Sequence, residues 1–261
     1  MLSKLLKKDL NKNMRWLWIL FAATIVVSAI TRGCKELGEN IAFFKILGIF
    51  FDSVFYALAV NVILQAFLRN FLNFHKSFYS DESYLTHTLP VTKNQLINSK
   101  YLTAVIELVA SFACVVASLL IMYASPEFSL MLKMLISSLV AGSFSLGLAI
   151  TLVILLIIVE FFMYISIIYF AIVVAYRAKE HRAFKAFLIT AAMALSALAV
   201  LAVVLIVVLA INGVKLSAST LVLSSTAFVS VILAAIVAYS LVSVLFYFLT
   251  KREFNKGVNV D

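Results

Sequence analysis

The sequence predicts an all-α polytopic membrane protein with six transmembrane helices, an amphipathic N-terminal interfacial helix and both termini in the cytoplasm. Composition is the first reason: 64% of the 261 residues are hydrophobic and 13% are charged, against roughly 45–50% apolar and about 25% charged in soluble domains. The second reason is that the apolar residues fall into long runs, because a helix needs about 20 such residues to cross the hydrocarbon core of a bilayer.

Six apolar regions are long enough to span. They cover residues 14–31, 42–68, 101–124, 140–176, 184–211 and 219–250. The fourth run begins as early as Met134, and its length would allow two helices. We expect instead an outer-surface lead-in over residues 128–139 and one long tilted helix, since a seventh span would move a basic group outside. No hydrophilic segment could fold alone, so we predict one transmembrane domain over residues 1–261.

The distribution of basic residues sets the topology. Sixteen of the 21 Lys and Arg residues lie before the first span, between the second and third, between the fourth and fifth, or after the sixth. Alternating spans bring these groups to one side, which the positive-inside rule makes cytoplasmic. The net charge of +9 therefore indicates contact with anionic lipid rather than nucleic acid. We expect a multi-pass protein of a bacterial plasma membrane.

The N-terminal segment has leucines at helical spacing among lysines. Leu2, Leu5, Leu6 and Leu10 alternate with Lys4, Lys7, Lys8 and Lys12. This pattern predicts an amphipathic helix on the inner membrane surface, and a merely charged tail is the alternative. The first span also resembles a signal peptide, with Val27-Ser28-Ala29 as a cleavage site. We expect a retained anchor, because Trp16 and Trp18 suit an aromatic belt and removal would break the charge alternation.

The cytoplasmic segment of residues 69–100 contains the longest hydrophilic stretch, from Ser80 to Lys100. Asp81 or Ser83 can cap a short helix there, and Pro90 should interrupt it because proline removes a backbone donor. Thr92 is then a natural N-cap for a helix that continues into the third span. We predict helix, proline-containing turn and helix.

Motifs for catalysis are absent from the sequence. There is no Gly-x-x-x-x-Gly-Lys-[Ser/Thr] phosphate loop, no His-Glu-x-x-His pair and no Gly-x-Ser-x-Gly elbow, so the chain has none of the machinery that these motifs provide. Cys34 and Cys114 are far apart in the predicted topology and should be free thiols. We expect neither an enzyme nor a metal site.

Three acidic residues, Asp52, Glu107 and Glu160, lie within predicted spans. Ionisable groups inside a membrane are costly, so each is a candidate functional residue, with a structural role as the alternative. They lie on three helices with no obvious basic partner in the membrane. Asn61 and Gln65 share one helix face, whereas Asp52 lies about 180° around the same helix from Asn61, so Asp52 cannot serve the same site.

Glu107 also begins a polar stripe along the third span. It is followed at spacings of four, three and four residues by Ser111, Cys114 and Ser118, which places all four on one helix face. Because Glu107 is only about two turns from the cytoplasmic end, its side chain could equally snorkel or hydrogen-bond a neighbouring helix. The fifth span differs, since it has no aromatic residue from Leu188 onward and carries alanines that favour close packing against protein.

One segment resembles a known family. The six spans and the inner loop with an acidic residue, Tyr84-Leu85, Thr88-Leu89-Pro90-Val91-Thr92 and Lys100 are similar to the permeases of ABC type-2 exporters. The run from Tyr169 to Arg182 is similar to the inner end of that family's fourth helix. The resemblance covers the whole chain in topology, although its specific motif spans only about 20 residues.

The resemblance implies a transport subunit that hydrolyses nothing itself. A separate ABC ATPase, which would bind ATP and magnesium, would dock on the inner loop, and a second permease copy or paralogue would complete the path. The docking residues would be Asp81, Glu82, Tyr84, Leu85, Thr88, Leu89 and Pro90. Asn61 and Gln65 would face the translocation path of an amphipathic cargo such as a peptide, drug or lipid.

Two other functions fit the same sequence. A proton-coupled secondary transporter would use Asp52, Glu107 or Glu160 as its titrating groups. A non-transporting membrane component, such as an immunity or sensory protein, would bind partners without moving a cargo.

Overall fold

The structure is a computed structural model, and it describes residues 2–38, 41–80, 91–123, 130, 134, 140–141, 146–177, 181–213 and 223–256. The elements in these ranges are α1 (Leu2–Gly38), α2 (Ala42–Tyr79), α3 (Lys93–Met122), β1 (Val140–Ala141), α4 (Leu146–Ala175), α5 (Arg182–Ile211), β2 (Leu223–Ser224) and α6 (Ser225–Asn255). Each of the six helices is long and apolar enough to cross a membrane. The prediction of an all-helical polytopic membrane protein is confirmed to that extent.

The first three helices extend beyond the apolar runs that predicted them. α1 begins twelve residues before its run, α2 continues eleven residues past Leu68, and α3 starts eight residues before Tyr101. Pro90 and Pro126 follow α2 and α3 along the chain and lie outside the described residues, as does the predicted short helix before Pro90. Hydropathy marks where hydrocarbon contact can end, whereas a helix ends only where its backbone or cap stops it.

The N-terminal segment is helical and continuous with the first span, and its position at the membrane surface stays a prediction. Residues 2–38 form one continuous helix. The stretch that joins the amphipathic segment to the first span, Asn11-Lys12-Asn13, has no proline or glycine at which the helix could kink. Leu5, Leu6 and Leu10 are half-buried while Lys7 and Lys8 are exposed. The leucine face of the segment is therefore more covered than its lysine face.

The fourth and sixth helices start later than predicted. Val140 and Ala141 are extended and pair in parallel with Leu223 and Ser224, so α4 begins at Leu146 rather than at residue 140. α6 begins at Ser225 rather than at residue 219, because the Ser224 side chain accepts a hydrogen bond from the Ala227 N–H and caps the helix. Of the predicted lead-in over residues 128–139, only Leu130 and Met134 lie among the described residues.

The chain divides into two compact units, residues 1–125 and 126–261, called here the N-terminal and C-terminal units. In the N-terminal unit, Asp9 of α1 reaches Lys100 of α3 at one end, and Lys35 of α1 reaches Asp52 of α2 at the other. Thus α1 and α3 run in one direction and α2 runs in the other. Gly38 permits the α1–α2 turn, since a Cβ there would lie 3.0 Å from the Lys45 Cα.

Apolar side chains hold the three N-terminal helices together. The buried clusters consist of Leu17, Phe21, Val62 and Ala66 in one group and Phe55, Ala59 and Met122 in the other. Partly buried residues of α3, including Val115, pack on both clusters. The core therefore runs along the three helices, which fixes which of their faces carry polar groups inward.

The C-terminal unit is also a three-helix arrangement, built by α4, α5 and α6. Its buried core consists of Met163, Ile167, Ala197, Tyr239 and Phe246. Asn212 at the end of α5 donates a hydrogen bond to Ser230 near the start of α6 at 3.0 Å, and Arg177 after α4 pairs with Glu253 at the end of α6. On α5, Ala197 alone is fully buried, so the predicted close packing of its alanine face is not seen within this unit.

Candidate functional site

The proposed docking residues lie outside the described part of the chain. Asp81, Glu82, Tyr84, Leu85, Thr88, Leu89 and Pro90 all fall between α2, which ends at Tyr79, and α3, which begins at Lys93. The structure does describe both flanking helices. Phe74 and Phe78 near the end of α2 are fully buried and stack edge to face at 4.9 Å, so the helix is anchored close to this segment.

The start of α3 is fixed by the predicted cap. The Gln95 N–H donates to Thr92 Oγ1 at 3.4 Å, and the Gln95 side chain accepts from the Thr92 N–H at 3.3 Å. This reciprocal pair is a capping box, which satisfies two backbone donors that the first helical turn would leave unpaired. The sequence-based assignment of Thr92 as the N-cap is confirmed.

A buried ion pair joins α1 to α3 two turns after this cap. Lys100 Nζ lies 2.9 Å from Asp9 Oδ1, and the two side chains are 7% and 13% exposed. Such a pair adds little net stability because both charges are desolvated, but losing one partner strands a buried charge. Sequence patterns gave no signal for this contact except that Lys100 precedes Glu107 by seven residues and so shares its helix face.

Glu107 lies deeper in the same unit and does not snorkel. It is 0% exposed, and its polar neighbours are Asn13 of α1 and Asn70 of α2. Among the described residues, neither carboxylate oxygen accepts a hydrogen bond of good geometry. Asp9, Asn13, Asn70, Lys100 and Glu107 thus form a buried polar cluster between three apolar helices, which is an expensive arrangement.

The rest of the predicted stripe on α3 also faces inward. Ser111 and Ser118 are fully buried, and Cys114 is half-buried. A matching stripe on α1 was missed, although Thr24, Ser28 and Thr31 recur at spacings of four and three. These hydroxyls donate to carbonyls of their own helix at 2.7–2.8 Å. They are small, self-satisfied residues that allow close helix packing.

Asp52 belongs to the opposite end of the N-terminal unit and has a basic partner. Its Oδ1 lies 2.8 Å from Lys35 Nζ, and the Lys35 ammonium is 4.4 Å from the centroid of the Tyr123 ring. Tyr56 and Tyr123 share a hydrogen bond through their hydroxyls. The expectation that the acids lack basic partners is therefore wrong for Asp52, because α1 continues far enough to bring Lys35 beside it.

Glu160 lies in the other unit, on α4. It is half-buried, with Tyr164 one turn further on and Tyr239 of α6 as its neighbours. The three predicted acids therefore do not converge. Glu107 alone is enclosed in a polar cluster, whereas Asp52 is paired and Glu160 sits beside tyrosines.

The predicted path residues differ in their surroundings. Asn61 is exposed on α2, and Gln65 is half-buried and lines a cavity together with Asn13 of α1. Asp52 contacts α1 through Lys35, and the separation of Asp52 from the Asn61 face stays a prediction. Cys34 and Cys114 are free, and the described parts of the chain hold no group of three His, Cys, Asp or Glu that could bind a metal.

Comparisons of the chain with protein-family profiles, with curated proteins and with solved structures found no match.

Proposed function

We propose that this protein is the membrane-spanning subunit of an ABC exporter, driven by a separate ATPase that docks on residues 80–100. The observation that carries the proposal is that long helices lie directly before and after this hydrophilic segment. α2 continues helically to Tyr79 and α3 begins at Lys93 with a capping box, so rigid helices flank the segment on both sides. A force on residues 81–90 would reach the helix bundle directly.

The buried cluster supplies a route from the dock into the membrane. Lys100 lies eight residues after the Thr92 cap and pairs with Asp9, so a tilt of α3 would also move α1. Coupling of this kind needs packed elements with two arrangements, and a buried ion pair is a specific contact that can re-form in a second register. The chain itself has no phosphate loop, so the nucleotide and magnesium would be bound by the partner.

The test is co-purification with an ABC ATPase encoded beside this chain. Leu89→Asp and Pro90→Asp together should reduce recovery of the ATPase at least roughly tenfold. Charges placed in an apolar contact should cost as much binding free energy as the loss of an interface hot spot, which is about 2 kcal/mol or more. The matched control is Leu37→Asp, an exposed apolar residue at the other end of α1 (52% exposed), which should leave recovery unchanged. Equal recovery from all variants would contradict the docking role.

A proton-coupled transporter is the second candidate, favoured by one observation. Glu107 is an acidic side chain enclosed within three helices beside two amides and close along α3 to Lys100. Flux into liposomes by the purified chain without nucleotide, lost in Glu107→Gln, would support this function over the exporter. Flux that needs ATP and the ATPase subunit would exclude it.

A further inference from the structure

Glu160 lies at the middle of a membrane-spanning helix of the C-terminal unit. It is fourteen residues after the start of α4 and fifteen before its end, and Tyr239 is fourteen residues after the start of α6. At the helical rise, each residue is roughly 21 Å from the start of its helix, which places both deep inside a hydrocarbon core about 30 Å thick. Glu160 is half-buried, so its side chain remains partly accessible from outside the chain.

No basic residue of the sequence lies in the middle of an apolar run, where it could neutralise this carboxylate. Within the six apolar runs the basic residues are Arg15, Lys45 and Lys185, each among the first four residues of its run. Between residues 133 and 177, Glu160 is the one charged residue. A carboxylate in the middle of a bilayer is costly without a positive partner, so Glu160 must take either a proton or a cation from outside the chain.

The surroundings of Glu160 are aromatic and apolar. Tyr164, one turn after Glu160 on α4, packs against the buried core of the unit, in which Tyr239 of α6 is 6% exposed. Both tyrosines are electrostatic neighbours of Glu160. The residues that α5 contributes to this core are Met193, Ala197 and Leu201. None of these three is charged or titrates, so the described neighbours of the carboxylate are two aromatic residues and apolar side chains rather than a counter-charge.

We propose that Glu160, Tyr164 and Tyr239 form a binding site for an amphipathic organic cation. The carboxylate would pair with the positive charge, because charge attraction is strong where water is excluded. The faces of tyrosine rings also attract cations, and the neighbouring apolar side chains would cover the apolar part of the ligand. Calcium and magnesium take about six or more oxygen ligands, whereas one carboxylate beside two aromatic rings suits an organic ammonium or phosphonium.

Binding of the cation is a property of the chain alone. That the bound cation is exported rests on the proposed exporter function, and it would narrow the cargo from amphipathic molecules in general to cationic ones. Without ligand the carboxyl group would hold a proton. Each bound cation should therefore displace one proton to water, as the carboxyl O–H bond breaks and the carboxylate pairs with the cation.

Equilibrium dialysis with radiolabelled tetraphenylphosphonium measures the binding. The purified full chain is held in micelles of a neutral detergent, and protein-free micelles are the reference. We expect saturable binding that weakens as the pH falls, because protons compete with the cation for the carboxylate. Tetraphenylborate has the same shape and the opposite charge, so it should show no saturable binding above the reference. Equal saturable binding of both ions would overturn the proposal, since the site would then recognise apolar surface alone.

Removal of the charge then tests the site itself. Glu160→Gln should lower the affinity for tetraphenylphosphonium at least about tenfold, because losing one partner of a desolvated charge pair is costly. Glu160→Asp keeps the charge and should retain most of the affinity. The matched control is Glu36→Gln, which removes a carboxylate that is 67% exposed at the end of α1 and should leave the affinity unchanged. An equal loss in the control, or no loss in Glu160→Gln, would overturn the proposal.

A second pair of variants keeps the test valid if Glu160→Gln does not fold. Tyr164→Phe retains the aromatic ring and should change the affinity less than about twofold, whereas Tyr164→Leu removes the ring and should lower it roughly fivefold. If Tyr164→Leu bound the cation as tightly as Tyr164→Phe, the proposed site would be wrong. No ATPase is present in these measurements, so their failure would leave the docking test of the exporter function standing, and failure of docking would leave this site standing.

Discussion

The N-terminal and C-terminal units are each built from three helices, but their interiors differ in polarity. Among the described residues, thirteen buried polar or charged side chains lie in the N-terminal unit, including Lys100 and Glu107. The C-terminal unit buries three, Ser166, Ser243 and Thr250, all with small hydroxyls. The second unit thus has the interior expected for a membrane bundle held by apolar packing, whereas the first carries a costly polar cluster. That cost is best explained if the N-terminal unit has a specific mechanical or binding role.

The largest expected effect is the loss of the buried ion pair. Lys100→Met leaves Asp9 charged and desolvated, and it should lower the free energy of unfolding by about 3–5 kcal/mol. The measurement is denaturation in mixed micelles, followed by circular dichroism. The double variant Asp9→Leu with Lys100→Leu should recover most of this loss. If Lys100→Met lowered the free energy of unfolding by less than about 1 kcal/mol, the buried ion pair would not distinguish the N-terminal unit from the C-terminal unit.

Replacing Glu107 should stabilise the protein, whereas replacing Lys100 should destabilise it. Its carboxylate is fully buried and accepts no hydrogen bond of good geometry among the described residues, so Glu107→Leu should raise the free energy of unfolding by about 1–3 kcal/mol, since the desolvated polar group is gone. Glu160→Leu in the half-exposed site of the C-terminal unit is the control and should change it less. Destabilisation by Glu107→Leu in the same micelle assay would contradict an unpaired carboxylate.

The helix caps of the two units allow a smaller comparison. Thr92→Ala removes a reciprocal capping box and should cost about 1–2 kcal/mol at the start of α3, whereas Ser224→Ala removes the single 3.2 Å cap bond of α6 and should cost about 1 kcal/mol or less. Hydrogen exchange of the first helical turn measures both. If Ser224→Ala increased the exchange rate in α6 more than Thr92→Ala increased it in α3, this ranking would be reversed.

The ion pair of the C-terminal unit should matter least. Arg177 is 34% exposed and Glu253 is 17% exposed, so water remains available to whichever partner is left. Arg177→Met should therefore cost no more than about 1 kcal/mol. A loss as large as that of Lys100→Met would mean that the polar interiors of the two units are energetically alike.

Local chemistry made part of this structure predictable. Apolar runs located all six helices, Thr92 gave the start of α3, and helical periodicity placed Glu107 and Ser111 on one face of α3, which is buried in the structure. Each of these signals depends on residues within a few turns of one another. The same kind of reasoning described the N-terminal segment as amphipathic, but it could not tell a lipid surface from a protein neighbour, because either would cover the leucines.

Contacts between distant residues account for what was missed. Lys100 and Asp9 are 91 residues apart, and neither has a sequence neighbour that marks it as paired. Asp52 was expected without a basic partner because Lys35 was assigned to a loop rather than to the end of α1. The late start of α4 depends on pairing between Val140 and Leu223, which no local pattern encodes. Such features follow from tertiary packing rather than from propensity.

The unbroken length of α2 has a consequence for where a soluble partner could work. Its helix continues eleven residues past Leu68, and at the helical rise this adds roughly 16 Å beyond the apolar run. The polar headgroup layer of one leaflet is only about 5–8 Å thick. An upright α2 would therefore hold its last residue, Tyr79, beyond the headgroups of the bilayer, so a soluble partner could bind at this end of the helix without displacing lipid. On this geometry, binding of such a partner should be insensitive to the headgroup composition of the bilayer.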